Sequence, residues 1–240
     1  MACVRSSTIT FCACISLGLT TAANAALVDR GGGLIYDTDL NITWLSDANY
    51  GAGSIYDNGF LTTDGAMTWQ NAVNWAADLS YDDSVRGVTY TDWRLPKTLQ
   101  PDAGCSQQEP PSSPSFSAGT NCTGSELGHL YYSELGGTIS ADPFNPATIA
   151  NSSDADLAKF TNIKSDGYWS GREFDATFAF VLNFGYNGAQ GADQKTLGYY
   201  GWAVRDGDVS AVPAPGAAWL LGTGLAGLGG RRWLRRRTSV

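Results

Sequence analysis

Apolar and polar positions change spacing along the chain, and the changes mark out its elements. Leu34-Ile35-Tyr36 and Asn41-Ile42-Thr43-Trp44-Leu45 flank the turn-forming run Asp37-Thr38-Asp39, which predicts strand, turn and strand. From Thr68, a good helix N-cap, the spacing lengthens to that of a helix: Trp69, Ala72, Val73, Ala76 and Leu79 share one face. Thr91-Asp92-Trp93-Arg94-Leu95-Pro96 reads as a short strand stopped by proline. A second helix is predicted from Ser125, with Leu127, Leu130, Tyr131 and Leu135 on its inner face and Gly136-Gly137 as its stop. Residues 145–156 read as a long loop. The last third alternates instead: Tyr168-Trp169-Ser170, the run 178–184, a turn at Asn187-Gly188, and the run 199–205 predict an antiparallel meander. Two helices and a late sheet give an α+β fold.

The ends follow other rules. Residues 1–25 carry Arg5, an apolar run from Ile9 to Leu19 and the small-residue site Ala23-Asn24-Ala25, so we read a signal peptide cut between Ala25 and Ala26. A single domain then fills residues 26–210, and a C-terminal signal fills 211–240. Three of the five cysteines leave with the signal peptide, so Cys105 and Cys122 remain as the pair an oxidising compartment would bridge, with two buried free thiols as the alternative. Two cysteines are too few for a four-thiolate zinc site.

Between Ala26 and Ala211 nine Lys and Arg face 23 Asp and Glu, a net charge of −14 against −8 for the whole chain. Such acidity disfavours nucleic acid and anionic glycans as partners. No G-x-S-x-G nucleophile elbow occurs, and the one histidine, His129, has no nucleophile at motif spacing. Glu126-x-x-His129 is half of a di-iron motif whose second histidine the chain lacks, so His129 is assigned a structural place. Asp37-Thr38-Asp39-Leu40-Asn41 begins like an EF-hand loop, but Ile42 and Ala48 stand where that loop needs glycine and glutamate. No catalytic residue, metal ligand or cofactor is therefore assigned, and calcium on loop acids is left as the one open metal. Gly222-Thr223-Gly224-Leu225-Ala226-Gly227 matches the dinucleotide fingerprint, but it follows no strand and lies within an apolar run.

The tail runs from Val212-Pro213-Ala214-Pro215 through an apolar stretch to Arg231, Arg232, Arg235, Arg236 and Arg237. As a helix, its apolar part would span roughly 24 Å, short of a hydrocarbon core of about 30 Å, and the arginines would stay cytoplasmic. This order resembles the PEP-CTERM sorting signals of the Val-Pro-x-Pro-Ala variant, with Gly216 in place of its alanine. That resemblance implies transient insertion in the inner membrane of a Gram-negative bacterium and processing by an exosortase-type protease. A plain single-pass anchor is the alternative.

The domain has a resemblance of its own. Gly32-Gly33-Leu34-Ile35-Tyr36-Asp37, Trp44-Leu45-x-Asp47-Ala48-Asn49, Trp93-Arg94-Leu95-Pro96, the run 125–132, Tyr168-Trp169-Ser170 and Tyr200-x-Trp202-Ala203-Val204-Arg205-x-Gly207-Asp208 look like the domain named for the C-terminal region of Legionella collagen-like proteins. The resemblance implies a C-type-lectin-like scaffold, two helices flanking a small antiparallel sheet, with one disulfide in this chain. The expected function is a non-catalytic glycan- or protein-binding module of the cell surface or matrix, with neutral polysaccharide or a matrix protein as ligand. A structural matrix component without a ligand site comes second, and an enzyme of unknown chemistry third.

Overall fold

The computed structural model describes residues 26–59, 63–108 and 116–209. In chain order the strands are β1 (Leu27–Asp29), β2 (Leu34–Asp37), β3 (Ile42–Leu45), β4 (Ala66–Met67), β5 (Tyr81–Asp83), β6 (Val88–Tyr90), β7 (Gln107–Gln108), β8 (Ser117–Ala118), β9 (Gly167–Glu173), β10 (Phe178–Asn183), β11 (Ala189–Gln194), β12 (Tyr199–Tyr200) and β13 (Val204–Asp206). Two α-helices interrupt them, α1 (Trp69–Asp78) and α2 (Glu126–His129).

One sheet has the order β1-β2-β3-β13, and a second has the order β11-β10-β9-β12-β4. The hairpin of β2 and β3 forms as the alternation predicts, with Leu34 opposite Leu45 and Asp37 opposite Ile42. Of the predicted meander β9 and β10 pair as expected, but the strand after the turn, where Asn187 and Gly188 are both at positive φ, is β11, and the run 199–205 instead divides between β12 in the second sheet and β13 in the first. In that turn the left-handed backbone is what Asn-Gly supplies. Pairing between the strands is antiparallel except for β12 and β9, where Tyr200 lies beside Tyr168 in parallel; an isolated parallel bridge also joins Asp47 and Thr161. β5 pairs with β6 and β7 with β8 in two small hairpins.

The α+β, C-type-lectin-like expectation is overturned. Among the described residues there are thirteen strands in four sheets and only two short α-helices, a mostly β architecture and not two helices flanking a small sheet. Strands of two or three residues, such as β4, β7 and β8, are too short to show an alternation, so no period betrays them. The second predicted helix is also cut short. After four residues α2 widens into a π-turn over Leu130–Glu134, where the Leu135 N–H donates to Leu130 O at 2.9 Å, five residues back. The predicted strand at 91–96 reduces to one bridge between Arg94 and Val204, and the predicted loop at 145–156 carries two 3₁₀ turns, Ile149–Asn151 and Ala155–Lys159. Helix α1 stands where predicted, but the Thr68 side chain makes no cap hydrogen bond and the buried residues are Ala72, Trp75 and Ala76.

The interior has two apolar groups. One gathers Trp44, Leu127, Leu130, Tyr131, Tyr168, Phe184 and Trp202 between the first sheet and α2; the other gathers Leu34, Met67, Trp75, Trp93 and Trp169 beneath α1. Two of the fully buried indoles donate to backbone carbonyls: Trp202 to Leu45 O at 2.8 Å and Trp169 to Met67 O at 2.9 Å. An aromatic side chain removes roughly 150–250 Å² from water, an upper bound of about 4–6 kcal/mol apiece.

Candidate functional site

Arg94 sits where three parts of the chain meet. Its Nη1 and Nη2 donate to Glu126 Oε2 and Oε1 at 2.7 and 2.8 Å, a two-pronged pairing with the first residue of α2. Its Nε and Nη2 also donate to Asp206 Oδ1 at the end of β13, at 3.1 and 2.5 Å. Burial works against the Arg94 charge, but these two carboxylates hold its pKa above the ordinary value, and the Arg94 hydrogen bond in turn holds Asp206 below the usual carboxylate range. Glu126 Oε2 accepts from the Lys97 N–H at 2.7 Å as well, which leaves this carboxylate fully engaged.

Beside this clamp opens a cleft of about 770 Å³, within the usual size of a ligand site. Leu40, Val73, Ala77, Trp93, Leu95 and Leu99 supply its apolar wall. Arg94, Lys97 and Arg172 bring three of the nine cations of residues 26–211 to the same place. Seven of those nine (Arg30, Arg86, Arg94, Lys97, Lys159, Lys195 and Arg205) lie within salt-bridge distance of a carboxylate. Lys164 lies over the Tyr200 ring, 5.7 Å from its centroid. Arg172, exposed on the cleft, pairs with no carboxylate among the described residues; its Nη1 donates to Thr98 O at 3.4 Å.

No protein-family model, curated protein or solved structure matches this chain. The motifs that carry the resemblance are largely structural here. Trp44, Tyr168, Trp169 and Trp202 are fully buried, and Trp44 and Trp202 meet edge to face with centroids 5.4 Å apart. The other aromatic side chains face inward as well: Trp75 and Trp202 are buried, while Trp69, Tyr81, Tyr90, Tyr199 and Tyr200 are partly buried against the same interior.

A second gathering of polar groups lies across the end of α2. His129 Nε2 stands 3.0 Å from Glu134 Oε1 and 3.9 Å from Asp39 Oδ2, and Asp37 completes the group from the end of β2. Burial pushes the Asp37 carboxyl above the usual carboxylate range; burial, and then the Asp37 charge, do the same to Glu134. Sequence reasoning had the Asp37 and Asp39 pair in view but missed its partners. On an α-helix, residues five apart face about 140° away from each other. Only the π-turn brings His129 and Glu134 together.

Cys105 and Cys122 are joined in a disulfide, so the other cysteine-bearing cluster, with Asp102, has no free thiolate for a metal. Ala26 begins the described residues, whereas Ala25, Val212, Pro213, Ala214, Pro215, Arg231, Arg232, Arg235, Arg236 and Arg237 lie outside them. No helix among the described residues is long and apolar enough to cross a membrane.

Proposed function

We propose that this protein is an exported, non-catalytic binding module of the bacterial surface or matrix, whose cleft takes an extended protein segment offering an apolar side chain and a carboxylate. The guanidinium of Arg172, which meets no carboxylate among the described residues, set on an apolar wall carries the reading. An apolar lining with few polar groups suits a peptide side chain better than a sugar ring edged with hydroxyls. The domain's charge of −14 repels polyanions at long range, so one carboxylate close to Arg172 is favoured over a chain of them. Glu126, the acid of the cleft, has both oxygens held by Arg94, which leaves it no role as a free base. The Cys105–Cys122 disulfide fits an oxidising compartment, in keeping with export through the signal peptide and release or anchoring through the tail.

Binding is tested with an array of immobilised peptides that place an aliphatic residue near an Asp, a Glu or a free C-terminus, run beside a glycan array. Peptide binding that weakens roughly tenfold or more in Arg172→Ala is expected, the size of one lost charge-assisted hydrogen bond. Neutral-glycan binding indifferent to Arg172 would overturn the assignment of the ligand. Mass spectrometry of the native protein tests sorting: a mature C-terminus between Val212 and Gly216 is expected, and an intact arginine tail in the membrane fraction makes it a single-pass anchor.

A further inference from the structure

We propose that Asp37, Asp39, His129 and Glu134 bind one divalent transition-metal ion of the zinc class, a structural site separate from the cleft. One ligand atom from each of Asp37, His129 and Glu134 lies within 4.8 Å of the others. Asp39 Oδ2 adds a fourth, 3.9 Å from His129 Nε2. Around a tetrahedral zinc with metal–ligand bonds near 2.0–2.1 Å, donor atoms sit about 3.3 Å apart, so the 3.0 Å from His129 to Glu134 already has that scale. Asp37 already lies within 4.8 Å of both, and Asp39, outside that group but 3.9 Å from His129, would close by movement of its exposed turn.

The charge balance points the same way. Asp37 is fully buried and Glu134 is 6% exposed, two carboxylates side by side with one imidazole between them. His129 satisfies Glu134 by hydrogen bond, but Asp37 gains little. Asp37 Oδ1 is held by the Asp39 and Leu40 N–H groups at 3.1 and 2.9 Å, while Oδ2 receives only the Trp44 indole, at 3.5 Å, among the described residues. Backbone donors that fix one oxygen and leave the other with one long contact are what orient a ligating carboxylate. A divalent cation would take the under-used Asp37 oxygen and balance the two buried carboxylates at once.

The donor set selects the metal. Calcium takes six to eight oxygens, and this site offers a nitrogen and few oxygens, whereas imidazole with carboxylates suits zinc and its neighbours. On binding, the His129 Nε2 lone pair would go to the metal and the Glu134 contact at 3.0 Å would become a ligand–ligand neighbour. The ion would tie the β2–β3 turn to the π-turn, segments about ninety residues apart in the chain.

Calorimetric titration of chelator-treated, purified protein with Zn²⁺ tests the site. One saturable equivalent, a raised thermal midpoint and no saturable heat from Ca²⁺ are expected. His129→Gln, which keeps a polar group of similar reach but no ring nitrogen, should weaken Zn²⁺ by about a hundredfold. Asp39→Asn, at a position where the side chain is 57% exposed and folding is not at stake, should weaken it about tenfold and shift the Co²⁺ absorption bands. Arg172→Ala should leave Zn²⁺ binding unchanged, which separates this site from the cleft. The proposal fails if the wild type takes up no stoichiometric Zn²⁺, or if Asp39→Asn matches it in both affinity and Co²⁺ spectrum.

Discussion

At Gly128 a single hydrogen atom is all the space allows. A Cβ there would lie 2.0 Å from the carbonyl oxygen of Cys122 and 3.5 Å from Leu182 Cδ1. The obstacle is backbone, next to a disulfide, and has no side chain that could swing aside. Gly128→Ala should therefore destabilise the protein by about 3 kcal/mol, although alanine is the better helix former by about 1 kcal/mol. Denaturant unfolding of the variant checks it, and a neutral or stabilising result would mean that α2 and the Cys122 segment are not in contact. The sequence hides this constraint, since a glycine between Leu127 and His129 reads only as a weak spot in a helix. The contact that gives it meaning comes from the chain crossing above. His129 is illegible for the same reason: its partners Asp37 and Asp39 are about ninety residues away, and Glu134 is at a spacing that α-helical reasoning puts on another face.

Elements that repeat a period over four residues or more were legible, namely the β2–β3 hairpin, α1 and the β9–β10 pair. Those that do not were missed: β11 has the sequence Ala-Gln-Gly-Ala-Asp-Gln, with no apolar alternation, and is a strand because β10 pairs with it along its whole length. The joint between elements is the Arg94 clamp, which ties α2 to β13 through Glu126 and Asp206. Arg94→Ala strands the largely buried Glu126 carboxylate and should cost about 2 kcal/mol, more than an exposed ion pair contributes. Asp206→Asn should cost under about 1 kcal/mol, because that carboxylate is 68% exposed and screened. Its pH dependence has a definite sign. Arg94 depresses the folded-state pKa of Asp206, so the contribution is whole above the unfolded value near 3.9 and disappears as pH falls through the lower folded value. Unfolding curves for wild type and Asp206→Asn should differ at pH 7 and draw together as acid protonates the folded-state carboxylate. A gap that persists in acid would assign the effect to packing.

For the whole molecule, the expected disulfide formed while the expected architecture did not. The pairing followed from counting the cysteines left once a signal peptide is read off the sequence, whereas the layer arrangement depended on strands too short to announce themselves. The bridge closes a loop of 17 residues' separation that contains the β7–β8 hairpin, and the segment just after it pairs with the second sheet through Gly119 and Gln190. Cys122 also supplies the carbonyl that presses on Gly128, so the crosslink anchors the segment that seats α2, the Arg94 clamp and His129. A loop of this length restricts the unfolded chain by about 3 kcal/mol, a sizeable fraction of the stability of a domain this size. The Cys105→Ser/Cys122→Ser double variant should lose about that much in denaturant unfolding, and the wild type with reductant should lose the same. If both hold their midpoint, the hairpin and the bridge between Gly119 and Gln190 position α2 without the crosslink. If the double variant loses more than the reduced wild type, the difference belongs to packing around the buried thiols rather than to chain entropy. In the expected case, stability that depends on oxidation would confine a fully stable fold to the oxidising side of the membrane, where the signal peptide is expected to deliver it.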